Sequence, residues 1–213
     1  MRVLEDQEAV AASAADLVAD AVAGDLRTLV LAGGSTPRRA YQLLAGRSLP
    51  WGRVTVLFGD ERCVPPDDPE SNYQMAREAL LDRVHPGSVH RMAGELGPET
   101  AAGLYDAVVR TLAPLDLVLL GMGPDGHTAS LFPGHPELEA PGCAVAVHHA
   151  PKPPPDRVSL TPGVLRGARR VVFLVTGADK AEALELARRG AVPAGTIPGA
   201  EYLVDRAAAA RLE

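Results

Sequence analysis

Residues 115–133 read LDLVLLGMGPDGHTASLFP, and this stretch decides the fold. Its first half, Leu115 to Leu120, is apolar except for Asp116. A run that short and that apolar is a strand buried on both faces, as in a parallel sheet. It empties into Gly121-Met122-Gly123-Pro124-Asp125-Gly126-His127, where three glycines surround one acid and one imidazole. Glycine costs conformational entropy, so this spacing predicts a backbone that bends sharply or passes close to something. The loop beyond the carboxyl end of such a strand is where α/β proteins place their ligands.

Two readings of that loop stand side by side. In one it is a plain turn, with Asp125 bonding local amides and His127 on the surface. In the other, Asp125 orients His127 for proton transfer near neutrality. Gly121, Gly123 and Gly126 also match the dinucleotide pattern GxGxxG, which needs a full helix next and an acid about 20 residues on. Pro133-Gly134 cuts any helix short, and AVAVHH near the required position holds no acid. A nicotinamide site is therefore rejected.

The same grammar recurs on both sides. An amphipathic helix is predicted over residues 5–23, with Gly24 closing it. The strand RTLVLA (27–32) then delivers Gly33-Gly34-Ser35-Thr36-Pro37 and a helix over 37–46. Proline suits a helix start, and glycines, hydroxyls and free amides there make an anion site. Ser35 or Thr36 as an ordinary N-cap is the compatible plainer reading. VTVLF (54–58) is a second buried strand, and its mouth carries Gly59-Asp60-Glu61-Arg62. Those charges read either as a solvated turn or as a third mouth converging on the same edge.

Ser71 or Asn72 caps a helix bearing Tyr73, Ala76 and Leu80. A helix over about 97–113 presents Leu104, Val108 and Leu112. Residues 144–147 form a short strand before His148-His149, a pair with no partner at ligand spacing and so read as solvent-exposed. Pro151 to Pro155 is a stiff loop over the sheet's edge. Arg157 to Thr161 enters a helix at Pro162, and VVFLV (171–175) is the last strongly buried strand. It opens into Thr176-Gly177-Ala178-Asp179-Lys180. A lysine in a helix's first turn opposes the macrodipole, and a bound anion would remove the conflict. Residues 191–200 form a loop, Tyr202 to Val204 an edge strand, and the alanines at 207–210 favour helix.

Composition narrows the function. The chain has 213 residues, 46% hydrophobic and 23% charged, which suits one large domain spanning 1–213. A net charge of −6 supplies no basic stripe for nucleic acid. Of 21 basic residues only two are lysines, Lys152 and Lys180. Cys63 and Cys143 make neither a disulfide framework nor a metal knuckle. No secretory signal and no membrane-spanning run is visible, so a cytoplasmic location is expected, with no membrane partner. Monomer and small homo-oligomer both fit.

Six motifs in order then carry a resemblance: GGSTP (33–37), FGDERCVP (58–65), SNYQMA (71–76), GMGPDGHTASLFPGHP (121–136), RVSLTPGVL (157–165) and TGADKAEAL (176–184). Together they resemble the 6-phosphogluconolactonase family, within a wider group that includes glucosamine-6-phosphate deaminases. The resemblance implies a doubly wound, Rossmann-like α/β fold with a mainly parallel sheet and helices on both faces. It implies hydrolysis of a phosphorylated sugar lactone, 6-phosphoglucono-1,5-lactone, with no cofactor and no metal. Carried over by motif, His127 draws a proton from water, and Asp60 and Arg62 flank the sugar; a cation or amides would serve the developing oxyanion, and Arg62 fits either that role or phosphate binding. Gly34, Ser35, Thr36, Arg157 and Lys180 hold the phosphate, beside Gly33. Similar deaminases carry an acid a few positions after the histidine, where this chain has Phe132. Related sugar-phosphate sensors are attached to a helix-turn-helix domain, for which the fold leaves no room.

Overall fold

The computed structural model describes residues 1–212. Ten strands follow in chain order: β1 (Arg2–Leu4), β2 (Thr28–Leu31), β3 (Thr55–Phe58), β4 (Asp60–Arg62), β5 (Ser88–Val89), β6 (Leu117–Leu120), β7 (Ala144–Val147), β8 (Arg157–Leu160), β9 (Val171–Val175) and β10 (Glu201–Asp205). The helices are α1 (Gln7–Ala23), α2 (Ser35–Ala45), α3 (Asn72–Ala76, continued by a π-turn to Leu81), α4 (Pro98–Leu112), α5 (Pro162–Gly167) and α6 (Ala181–Arg188).

Seven strands make one sheet in the order β1-β10-β9-β6-β2-β3-β5, every pairing parallel. Alternation along the strands explains why helices must cover both faces. Leu29, Leu31, Leu117, Leu119, Val172 and Leu174 pack with residues of α1 and α2 such as Val18, Tyr41 and Leu44. The intervening Val30, Val118, Leu120, Val171, Phe173 and Val175 pack with Tyr105 and Val109 of α4, Leu165 of α5 and Leu184 of α6. The doubly wound architecture read from the sequence is the one observed.

Two buried tyrosines, one from each face, finish strands where their ladders end. Tyr41 Oη accepts from Ala32 N at 2.8 Å and donates to Ala32 O at 3.0 Å. Tyr105 Oη does the same for Phe58, at 2.7 and 3.0 Å. Buried backbone groups left without such partners are costly. At the opposite end, the Asp116 carboxylate accepts from Arg27 N at 2.9 Å and Thr28 N at 3.0 Å. The one acid in the central apolar run thus staples β2 to β6 and stays away from the mouths.

Several expectations need correction. Ser35 and Thr36 lie inside α2, and Gly34, at φ 108°, is its N-cap. The segment after β3 is a strand, because β4 pairs antiparallel with β8 and β8 with β7 in a second, three-stranded sheet. Pro151–Pro155 is the loop joining β7 to β8, and its Lys152 and Pro153 line a cleft with the ends of β2 and β6. An edge of the main sheet is β1, and β10 lies inside it with Leu203 and Val204 buried. On α4, Leu104 is exposed and Ala101, Ala102, Tyr105 and Val109 face inward, because the bonded Tyr105 hydroxyl fixes the rotation. The alanines at 207–210 form turns, closed by Ala208 N on Asp205 Oδ1 at 2.7 Å.

Candidate active site

The strand order locates the site before any side chain is considered. From β2 the chain moves outward to β3 and β5, and from β6 it moves the other way to β9 and β10. The crevice beyond the carboxyl ends of β2 and β6 is the switch point where doubly wound folds bind ligands. A cleft of about 290 Å³ opens there. The mouths are tied together, with the Thr36 and Thr176 hydroxyls 2.8 Å apart.

His127 lines this cleft, its side chain 16% exposed. Its Nδ1 lies 2.5 Å from Asp125 Oδ1, and its backbone N–H donates to the same oxygen at 3.2 Å. An ionised carboxylate only accepts, so Nδ1 carries the proton and Nε2 keeps its lone pair. The ring rests on buried Phe132, centroids 4.5 Å apart. Burial is the main influence on the imidazole and holds it below its ordinary value; Asp125 and then Asp60 oppose that, while Lys152 adds to it. Partial burial works to raise the Asp125 carboxyl, but His127 outweighs it by charge and hydrogen bonds, leaving Asp125 below the usual carboxylate range. The glycines have specific reasons. A Cβ on Gly123 would run into the imidazole, and Gly126, at φ 80°, faces Val192 with no space for one.

The antiparallel sheet forms the facing wall. Register places Asp60 opposite Ser159 and Arg62 opposite Arg157. Asp60 is buried and accepts from Ser130 Oγ at 2.7 Å and Asn72 Nδ2 at 3.3 Å. Glu61 points the other way. Its carboxylate accepts from Asn72 N at 2.7 Å, Tyr73 N at 2.8 Å and Ser71 Oγ at 2.9 Å, anchoring the start of α3. Burial pushes the Glu61 carboxyl up against those bonds. Arg62 lines the cleft, with one guanidinium nitrogen held by the Glu70 carbonyl. Arg157, also lining it, donates to Pro154 O at 3.0 Å and Lys152 O at 2.8 Å.

Gly33, Gly34 and Lys180 line the remaining side. Gly34 supplies no side-chain cap, so the first amides of α2 remain available to an anion. Of the expected hydroxyl ligands, Thr36 is engaged with Thr176 and Ser35 Oγ accepts from Gln7 Nε2 at 3.1 Å. The Ser35 hydroxyl keeps its proton to donate, whereas the Thr36 hydroxyl shares one bond with Thr176. Lys180 ends a 3₁₀ turn at the N-cap of α6, and its Nζ pairs with Asp179 at 2.9 Å. The dipole conflict read from the sequence is thus eased by a neighbour.

Two cleft residues escaped the sequence reading. Asn72 is turned inward by Glu61, and a Cβ on Gly33 would collide with its amide. Lys152 arrives on the β7–β8 loop. Its only signal in the sequence was the scarcity of lysine. The His148-His149 pair stays outside the site. His148 bridges Glu99 of α4 at 2.6 Å and Asp156 at 3.0 Å, which raise its pKa. Among the described residues, no group of three His, Cys, Asp or Glu side chains is placed to hold a metal ion.

A sequence profile described as glucosamine-6-phosphate isomerases/6-phosphogluconolactonase matches residues 5–206. The chain belongs to this family. A family member from Streptomyces coelicolor, named 6-phosphogluconolactonase, is 39% identical, with 96% of this chain and 90% of that protein covered. A solved 6-phosphogluconolactonase structure from Trypanosoma brucei superposes at a TM-score of 0.89 and 27% identity, covering 100% of this chain and 98% of that one. A monomeric glucosamine-6-phosphate deaminase superposes at 0.86 with 23% identity, covering 99% and 100%, and so shares the fold. Among the described residues, no helix is long and apolar enough to cross a membrane.

Proposed function

We propose that this chain hydrolyses 6-phospho-D-glucono-1,5-lactone to 6-phospho-D-gluconate, the lactonase step of the oxidative pentose phosphate pathway, with residues 1–213 acting as one α/β unit. The observation that carries this reading is that the His127 imidazole and the Lys180 ammonium line one cleft. A substrate with its reacting carbon at one end and a phosphate at the other needs that arrangement. The phosphate is held by Lys180, Arg157 and the amides at Gly33 to Thr36, and this remote binding places the lactone carbonyl against the imidazole. Asp60 and Arg62 face the sugar between them.

The chemistry follows from the protonation states. Nε2 of neutral His127 takes a proton from water as the water oxygen bonds to C1, and the carbonyl electron pair moves onto its oxygen. Collapse of the tetrahedral species restores the carbonyl and breaks the bond from C1 to the ring oxygen. The ring oxygen leaves as a hydroxyl, taking the proton back from the imidazolium, and the new acid ionises to solvent. Asp125 fixes the tautomer throughout. No serine nucleophile is required, and no GxSxG elbow exists in the sequence.

The deaminase reading is weakened at one position. An acid assisting ring opening belongs a few residues after the histidine, and here Phe132 packs its ring on His127 instead. A coupled assay with freshly prepared lactone, run beside glucosamine 6-phosphate, decides between them. Turnover of the lactone alone is expected. Turnover of glucosamine 6-phosphate alone would hand the chain to the deaminase branch.

A further inference from the structure

Four cationic side chains line the cleft, and three have partners within the protein. Arg62 is held by the Glu70 carbonyl, with the Glu70 carboxylate 3.8 Å away. Arg157 donates to the carbonyls of Lys152, Pro153 and Pro154. Lys180 pairs with Asp179. Among the described residues, the Lys152 ammonium has neither an ion pair nor a hydrogen bond. It is the one cleft cation whose charge is not already committed.

Resting on the lactonase reading above, we propose that Lys152 is a catalytic residue: its ammonium meets the lactone carbonyl oxygen and stabilises the negative charge formed there as water adds. Three features of its placement support this. First, the loop carrying it is held in place. Pro151, Pro153, Pro154 and Pro155 restrict its backbone, and Ala150 N donates to Pro155 O at 2.9 Å across its base. Arg157 gathers three of its carbonyls from below, and His148 pins its flanks to α4 and Asp156. A cation delivered this way is largely pre-organised, which is what makes transition-state stabilisation effective.

Second, the attacked carbon must lie beside the water that Nε2 activates, and its carbonyl oxygen is one bond further. A cation serving that oxygen must therefore lie close enough to act on the imidazole. Lys152 lines the same cleft as His127, and its charge acts on the imidazole as it does on Asp179. Third, the other cations have other roles in this reading: Arg157 and Lys180 are assigned to the phosphate, and Arg62 is held by the Glu70 carbonyl. The lysine's flexible stem keeps three donors free.

The test is steady-state kinetics of Lys152→Met and Lys152→Arg on freshly prepared lactone. For Lys152→Met we expect kcat to fall by roughly 100-fold, the scale of losing one oxyanion donor, with KM little changed. The acid limb of kcat/KM should move to higher pH, because removing a cation lets His127 protonate more readily. Lys152→Arg keeps the charge and should recover part of the rate. Inhibition by inorganic phosphate and the melting temperature should match the native protein, which separates this role from a structural one. A rise in KM with kcat intact would make Lys152 a phosphate ligand and overturn the proposal, as would full activity of Lys152→Met. If Lys152→Met does not fold, the arginine variant decides: a pH limb displaced as far as a neutral residue would displace it overturns the assignment. Native protein inactive on the lactone would bring down the lactonase reading itself, a separate result.

Discussion

The parallel sheet and the small antiparallel sheet each build one wall of the cleft, and they contribute different things. The parallel sheet supplies strand mouths: His127 after β6, Gly33 and Gly34 after β2, Lys180 after β9. These positions are set by backbone, because strand ends in a buried sheet scarcely move. The antiparallel sheet supplies side chains that cross from one strand to the next, Asp60 and Arg62 from β4 and Arg157 from β8, plus the loop bearing Lys152. We assign proton transfer and phosphate binding mainly to the first wall, and sugar contact and charge stabilisation to the second.

The largest expected effect tests the first wall. His127→Ala should lower kcat by about 100- to 10,000-fold, the range for removing a general base, with KM nearly unchanged in steady-state assays. A change confined to KM would break the division of labour. Next is Lys180→Ala. Losing a charged hydrogen bond is worth about 1.5–3 kcal/mol, so KM should rise by about 10- to 100-fold while kcat holds.

The pH profile sharpens the same assignment. Burial depresses His127, and it must be neutral to act as a base. The rate should therefore hold from neutrality downward and fall only below pH 6.5, His127's ordinary value. In Asp125→Asn the opposing carboxylate is gone, so the limb should move lower still, while kcat falls because the ring loses its fixed tautomer. An acid limb above pH 6.5 in the native protein would contradict the buried imidazole.

Stability gives smaller effects. Tyr41→Phe leaves Ala32 N–H without its partner, and denaturant unfolding should show a loss of about 1–3 kcal/mol. The least is expected at His148, whose raised pKa comes from Asp156 and then Glu99. A raised histidine stabilises fully below its unfolded value and loses that contribution as pH climbs through the folded one. The native melting temperature should thus drop slightly above pH 6.5, and His148→Ala should flatten that dependence. A large drop would mean that the second wall depends on this bridge far more than its exposure suggests.

How much of this could be read beforehand differs by wall. The buried strands, their mouths and the Asp125–His127 pair were legible because each is a local pattern. Apolar runs, glycine spacing and a two-residue offset survive in sequence without knowledge of partners. The pairing of β4 with β8 was not legible, since FGDER and RVSL lie far apart in the chain and nothing in either specifies the other. The same reason hid Asn72, which enters the cleft only because Glu61 captures the amides at the start of α3. On α4 only Leu104 of the three residues read as its apolar face is exposed, while Val108 and Leu112 pack partly against the core and the bonded Tyr105 faces inward.

By itself, then, the sequence determined the doubly wound sheet, the rim to which we assign the chemistry and the imidazole that lines it, because hydrophobic periodicity and turn residues act over a few positions. Only the tertiary structure decided which cations are already paired, which hydroxyls have partners and which further lysine lines the cleft. Those are outcomes of competition among groups brought together from distant segments, and a charge's availability depends on every neighbour that reaches it first.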